Sequence, residues 1–112
     1  MDPERISEIN VSDVVVSTAG RDQGKLFYVI GTDPVYLLLV NGKDRTLDKP
    51  KRKKRKHIQK VLRSETRVAE KLRLGDKVLN SELRRDLAYF SREMQGNDLG
   101  GFKLGKRRRN RD

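Results

Sequence analysis

Cationic side chains are concentrated in two short windows of this 112-residue chain. Residues 49–57 read Lys-Pro-Lys-Arg-Lys-Lys-Arg-Lys-His, and residues 103–111 read Lys-Leu-Gly-Lys-Arg-Arg-Arg-Asn-Arg. The first window holds seven Lys or Arg and the second six, so 13 of the chain's 27 lie there, with none of its 16 acidic residues. The remaining chain, with 14 basic and 16 acidic residues, is nearly neutral. Two such patches on a near-neutral body are typical of a protein that binds a polyanion, RNA above all.

Such clustering needs a physical reason, because cations without neighbouring acids repel one another. A polyanion that releases its counterions on contact supplies that reason. A solvated charged face, nuclear targeting and a solubilising tail are the alternatives that the composition leaves open. The first window predicts a basic loop that contacts RNA through Lys49, Lys51, Arg52, Lys53, Lys54, Arg55, Lys56 and His57. The second predicts a disordered, Arg-rich tail that folds onto RNA through Lys106, Arg107, Arg108, Arg109 and Arg111.

The sequence contains no residue pattern of an enzyme. It has no Cys, which excludes a thiol nucleophile and a Cys-ligated zinc. His57 is the single His and has no acidic cluster beside it, so a structural or phosphate-binding role is favoured over metal ligation or general-base catalysis. Gly20 and the Gly24-Lys25-Leu26 run are too closely spaced for a phosphate-binding P-loop. We therefore expect no catalysis, no cofactor, no metal and no small-molecule substrate.

Length and hydropathy indicate one small domain without a membrane segment. Hydrophobic residues make up 34% of the chain and charged residues 38%, which favours a modest core with mobile ends. No apolar stretch of signal-peptide length opens the chain, and its longest apolar run, residues 35–40, is too short to span a bilayer. We expect a cytoplasmic protein that does not bind membranes. Attachment to an anionic membrane through the polybasic run is the alternative.

Short β-type runs separated by turn signals occupy the first half of the chain. Strands are predicted over 14–18, 26–30 and 35–40, the last apolar throughout and therefore central and buried. Asn41-Gly42 predicts a type I′ hairpin into a polar edge strand over 43–47, because this dipeptide accepts positive φ at both positions. Residues 57–61 alternate and predict a fifth strand. About five short strands in some fifty residues favour a small, tightly curled barrel.

The three aromatic residues Phe27, Tyr28 and Tyr36 lie inside these apolar strands. Core packing is the favoured interpretation, with base stacking as the alternative. Strand alternation places Phe27 and Tyr28 on opposite faces, so that Tyr28 or Tyr36 is a candidate for an accessible ring.

The pattern becomes helical after residue 62. A short helix is predicted over 64–73, ended by Gly75, and Asn80 or Ser81 is expected to cap a second helix that stops at Gly96. We expect the apolar stripe of this second helix to pack on the barrel, the alternative being a docking face for a protein partner. The stripe consists of Leu83, Leu87, Phe90 and Met94.

A loop bracketed by two glycines joins the first two predicted strands. Gly20 and Gly24 permit positive φ and a close approach of phosphate to the main chain, with Arg21 and Lys25 beside them. The run Val-Val-Ser-Thr-Ala-Gly-Arg-Asp-Gln-Gly-Lys-Leu-Phe-Tyr-Val-Ile resembles a KOW motif. Residues 12–60 resemble the bacterial KOW-domain RNA-binding proteins, which are related to an archaeal and eukaryotic large-subunit ribosomal protein family. The downstream matches include Tyr36–Val40, Asn41-Gly42-Lys43, Arg45, Leu47, Lys49-Pro50-Lys51 and Lys56-His57-Ile58-Gln59.

This resemblance implies an SH3-like KOW barrel over the part of the chain that it covers. Combined with the strand and helix patterns above, it leads us to expect a mainly β fold, with a five-stranded SH3-like KOW barrel followed by two short α-helices and a basic disordered tail. The corresponding segments are a lead-in (1–11), the barrel (12–62), a helical extension (63–95) and the tail (96–112). It also implies binding to structured ribosomal RNA or the large ribosomal subunit, with ribosomal or transcription proteins as further partners. The RNA contacts then also include Gly20, Arg21, Lys25, Lys43 and Arg45.

Two other functions stay open at this point. One is a transcription-associated KOW module that contacts polymerase or DNA, and the other is a protein-interaction adaptor whose charges are incidental. Because few side chains are suited to reading base edges, we expect recognition of RNA shape more than of RNA sequence.

Overall fold

The computed structural model describes residues 8–96. One antiparallel sheet with the strand order β4-β3-β2-β1-β5 is followed by two helices, which confirms the predicted mainly β fold. Most of the predicted lead-in and the basic tail with Lys106, Arg107, Arg108, Arg109 and Arg111 lie outside the described residues. The elements are β1 (Asp13–Ser17), β2 (Leu26–Thr32), β3 (Tyr36–Val40), β4 (Lys51–Lys54), a 3₁₀ turn (Arg55–His57), β5 (Ile58–Arg63), α1 (Arg67–Leu74) and α2 (Asn80–Gly96).

The chain passes from one edge strand of the sheet to the other through the 3₁₀ turn alone. β4 and β5 are the two edges, and Arg55–His57 is all that separates them in sequence. The backbone N–H of Arg55 donates to the Val35 carbonyl, and the backbone N–H of Thr18 donates to the His57 carbonyl. Both donor–acceptor distances are 2.8 Å. The sheet must therefore curl so that its edges approach each other at this turn. Among residues 8–96 no ladder of hydrogen bonds joins β4 to β5, so the sheet is not closed.

Both faces of the curled sheet carry buried apolar side chains. The side chains of one face pack on one another across the curl, and we call this the inner face. Its hydrophobic cluster includes Val15, Phe27 and Leu39. The outer face carries Val14, Tyr28 and Val40, which pack against the two helices. Phe27 and Tyr28 therefore lie on opposite faces, as strand alternation requires. Burial on both faces explains why these strands are apolar almost throughout.

The helices have defined ends and share one core with the sheet. The Thr66 hydroxyl accepts a hydrogen bond from the Ala69 N–H at the start of α1, and Gly75 ends this helix with a φ of 76°. Three residues of the predicted stripe, Leu83, Leu87 and Phe90, are buried against the sheet, whereas Met94 is 40% exposed. The predicted packing of the second helix on the sheet is confirmed for those three.

The prediction of a hairpin at Asn41-Gly42 is wrong. Among the described residues the only non-glycine with positive φ is Ser12, so Asn41 does not adopt the conformation that a type I′ turn requires. The Asn41 side-chain oxygen instead accepts hydrogen bonds from the N–H groups of Lys43 and Arg45, at 3.0 and 2.9 Å. Such local bonds favour an irregular loop. Residues 43–47 accordingly form no regular strand, and the edge strand beside β3 is β4.

Contacts with α2 explain why the loop prevails over the hairpin. The Leu47 N–H donates to the side-chain oxygen of Asn80 at 2.9 Å, and the Arg84 guanidinium donates to the Gly42 carbonyl at 2.6 Å. A side chain at Gly42 would lie against the Asn80 carbonyl, so the close approach requires glycine. The second helix begins at Asn80, but the side chain of Asn80 holds the loop instead of capping the helix as predicted.

A buried polar network fixes both helices on the outer face of the sheet. The Tyr28 hydroxyl donates to the Asp86 carboxylate at 2.7 Å and lies 2.9 Å from the Ser64 hydroxyl, while Thr66 donates to the same carboxylate at 2.6 Å. Burial, supported by the Asp86 charge, raises the pKa of Tyr28 to about 12. The Tyr28 hydroxyl therefore stays protonated at neutral and acidic pH and can donate its hydrogen bond to Asp86 there.

We expect Tyr28→Phe to lower the free energy of unfolding by about 1–3 kcal/mol, because it removes the hydrogen bond of a buried hydroxyl to a half-buried carboxylate. Tyr89→Phe is the matched control, since Tyr89 is 49% exposed and its hydroxyl forms no hydrogen bond among the described residues. Urea unfolding of the two variants measures the difference, and equal midpoints would contradict the structural role of the network.

Candidate nucleic-acid interface

The first cationic window lies along one edge of the sheet. Its residues form β4 and the 3₁₀ turn, rather than the loop expected from the sequence. Arg52 and Lys54 pair with Leu38 and Tyr36 across the β3–β4 ladder and are exposed on the outer side, whereas Lys51 and Lys53 lie on the inner side and are half-buried. Strand alternation therefore distributes the cations over both sides of the edge.

On the inner side, Lys53 connects β4 to the glycine-bracketed loop. Its ammonium group donates to the Ala19 carbonyl at 2.8 Å and would lie 3.3 Å from a Cβ added at Gly20. Gly20 has a φ of 80°, a conformation that glycine adopts without strain. This contact brings the exposed Arg21 and the Gly20 backbone to the same edge as β4, so these predicted site residues do lie together.

On the outer side, Arg52 stacks on an aromatic ring. Its guanidinium carbon lies 3.6 Å from the centre of the Tyr36 ring. Tyr36 is half-buried, while Phe27 and Tyr28 are fully buried, so the accessible aromatic ring in these strands is that of Tyr36. No local pattern in the sequence predicts this stacked pair, because the pairing depends on the β3–β4 register.

The 3₁₀ turn holds Arg55, Lys56 and His57, whereas Lys49 precedes β4 and is exposed. The Arg55 side chain donates through Nε to the Asp33 carbonyl at 2.8 Å, which fixes the turn between β2 and β3. Lys56 is exposed, and His57 is half-buried with its carbonyl bound to the Thr18 N–H. Hydrogen bonds from the Tyr36 and Val35 N–H groups hold the pKa of Asp33 below its usual range, as do the charges of Arg52 and Arg55.

None of the window's cations forms an ion pair with a described carboxylate. In the part of the chain that the structure describes, no carboxylate lies within 4.0 Å of a Lys or Arg nitrogen between residues 49 and 56. Cations on an edge strand also prevent edge-to-edge pairing of sheets. That role explains the lysines of β4 but not Lys49, Arg55 and Lys56, which lie outside the strand.

Three other predicted contacts belong to a second group of residues. Lys25 pairs with Asp44 at 2.8 Å, and both Lys25 and Arg45 pair with the buried Asp22, at 3.5 and 3.1 Å. Burial alone would raise the pKa of Asp22, but Arg45 and Lys25 outweigh it and hold that pKa below the usual value. These ion pairs join the β1–β2 loop to the 41–47 loop.

Lys43 is exposed next to these ion pairs. Together with Lys25, Asp44 and Arg84 it lines a cavity of about 480 Å³ between the two loops and α2. The predicted site residues therefore divide into the uncompensated edge and a loop junction whose cations largely neutralise carboxylates. Arg84 was not predicted, and its role depends on the docking of the helix.

Comparisons with known proteins do not assign this site. No protein-family model matches the chain, and no curated protein matches it as a relative. Within residues 8–96, no three His, Asp or Glu side chains are grouped so that they would hold a metal ion. Neither helix of that part has the length and apolar character that a membrane crossing requires.

The loop junction predicts an acid-dependent contribution to stability. Hydrogen bonds from Lys25 and Asn41 lower the pKa of Asp44 to about 2, whereas an unfolded Asp titrates near pH ~3.9. Because the folded-state pKa is depressed, the stabilisation is fully present above the unfolded value and is lost as pH falls through about 2. We expect Asp44→Asn to be less stable than the native protein at neutral pH and to approach it across this window.

Thermal unfolding at a series of pH values tests this expectation. Asp76→Asn is the control, because Asp76 is exposed and forms no ion pair with another described residue. A constant offset between Asp44→Asn and the native protein down to the lowest pH would contradict the assignment.

Proposed function

We propose that this protein binds structured RNA through its basic edge, which consists of Gly20, Arg21, Lys49, the strand Lys51–Lys54 and the turn Arg55–His57. The observation that carries the proposal is that the seven cations from Lys49 to Lys56 lie along one sheet edge without a carboxylate partner among the described residues. Their mutual repulsion is relieved when phosphates replace the counterions around them. Phosphate contacts of this kind supply affinity and orientation rather than sequence readout.

The distribution of the cations favours a ligand with phosphates on two sides. Arg52 and Lys54 extend from one side of β4, and Lys51 and Lys53 from the other. Residues two apart in a strand are separated by about 6.5 Å, so neighbouring cations on one side can contact different phosphates. A folded RNA presents two backbones across a groove, whereas an anionic membrane presents one flat surface. We therefore favour RNA over a membrane.

The finer fold that we propose is an SH3-like barrel of the KOW type. It is supported by the strand order, by the 3₁₀ turn that joins the two edge strands and by the loop that Gly20 and Gly24 bracket. The resemblance to bacterial KOW-domain proteins further supports ribosomal RNA as the ligand and the cytoplasm as the location. On this proposal the protein acts by binding and not by catalysis.

The test is a salt titration of binding to purified ribosomal RNA. We expect neutralisation of three exposed cations, Arg52→Gln with Lys54→Gln and Lys56→Gln, to weaken binding. It should also make the slope of log K against log salt less steep by about two to three units. Each lost phosphate contact reduces the magnitude of that slope by roughly 0.7–0.9. These substitutions leave the Lys53 contact with Ala19 intact.

The matched control neutralises three exposed cations of the helical part, Lys77, Arg85 and Arg92, with the same total change of charge. If both triple variants reduce the slope equally, net charge alone governs binding and the basic edge is not the site. A duplex DNA of equal length is titrated in parallel. Equal affinity for it would favour the transcription-associated alternative.

A further inference from the structure

We propose that the outer face of the sheet beside β4 binds one unpaired RNA base, stacked on the Arg52–Tyr36 pair. This inference rests on the proposed RNA binding and specifies the kind of RNA, namely a folded RNA with an extruded nucleotide. It is carried by a part of the sheet that the helices leave uncovered, by a cavity there and by the stacked pair at its rim.

The helices cover only one end of β3. Strand alternation places Val40, Leu38 and Tyr36 on the outer face. Val40 is fully buried in the core shared with the helices, whereas Leu38 is 37% exposed and Tyr36 is half-buried. An apolar surface thus remains open to solvent, with the basic edge directly beside it.

This surface forms a cavity of about 290 Å³, lined by Gly31, Tyr36, Leu38 and Arg52 among others. Gly31 pairs with Leu38 across the ladder, and a Cβ at Gly31 would approach a Leu38 methyl group to 3.2 Å. The lack of room for a side chain next to Leu38 therefore explains the glycine at this position. Its backbone conformation does not, since Gly31 is not among the glycines with positive φ. The volume lies just below the usual range for ligand pockets, and it is sufficient for a single base.

The stacked pair provides the surface that an isolated base requires. The Arg52 guanidinium covers the Tyr36 ring at 3.6 Å and is itself exposed, so its other side is available to a ligand. Unpaired bases stack on aromatic rings and on guanidinium planes without a strong preference for the base type. Arg52 thus contributes both a plane for the base and a charge for the neighbouring phosphate.

The charges around the cavity orient the nucleotide. Lys54 lies opposite Tyr36 in the ladder and is exposed, so it is positioned for the phosphate of the extruded nucleotide. Asp33 lies on another side of the cavity, where its carboxylate repels phosphate and accepts hydrogen bonds from amino groups of a base. The sugar-phosphate backbone is therefore expected along β4 and the base edge towards the β2–β3 turn.

The experiment compares two RNA hairpins, one fully paired and one with a single bulged 2-aminopurine, whose fluorescence falls when it stacks. We expect the native protein to prefer the bulged hairpin by about five- to 140-fold, the range that corresponds to one base–aromatic stack. Arg52→Lys keeps the charge and loses the plane, so we expect it to abolish the preference and the quenching without changing the salt slope.

Controls separate this inference from the proposed function. Arg92→Lys is the matched substitution on an exposed helix position and should leave the preference unchanged. Tyr36→Leu keeps an apolar floor but removes the ring, and its folding is checked by thermal unfolding. If the native protein binds both hairpins equally and without quenching, the base site is overturned while RNA binding stands. If it binds neither hairpin, the proposed function fails as well.

Discussion

The whole structure depends on a sheet that must bury both of its faces. Because the chain crosses from one edge strand to the other through a three-residue turn, the sheet curls, and its inner face packs on itself. The outer face still carries Val14, Tyr28 and Val40, which only the two helices cover. The helices are therefore part of the same core as the strands. The half-buried Asp86 carboxylate of α2 aligns them, because it accepts hydrogen bonds from Tyr28 of the sheet and from Thr66 at the start of α1.

The location of the basic edge follows from this arrangement. A strand rich in Lys and Arg cannot lie in the middle of a sheet with two buried faces, since its charged side chains would lose their hydration. At the edge, β4 keeps Arg52 and Lys54 in water while its backbone completes the ladder with β3. Two acidic residues lie away from β4, at the loop junction. Asp22 and Asp44 neutralise cations at the loop junction, which leaves the positive charge concentrated along β4 and the 3₁₀ turn.

Much of this fold could be predicted from local patterns. The strands at 14–18 and 26–30, the glycine that ends α1 and the buried stripe of α2 follow from residue alternation and from helical spacing. The hairpin at Asn41-Gly42 could not be excluded locally, because the α2 residues that contact Gly42 and Leu47 lie 42 and 33 positions away in the sequence. The pairing of β4 with β3 also depends on residues that are distant in the sequence. Local patterns therefore predict a loop for the basic window and do not predict the stacking of Arg52 on Tyr36.

Charge on an edge strand also governs how copies of the protein behave towards each other. The open side of β4 offers unpaired backbone groups that a second sheet edge would match, and its cations oppose that approach by repulsion. The repulsion weakens when salt or a polyanion neutralises the cations. Colloidal stability and ligand binding therefore draw on the same side chains. In the free protein, the charges of β4 keep a second sheet edge away. Once a bound ligand has neutralised those charges, the ligand itself must block the edge sterically.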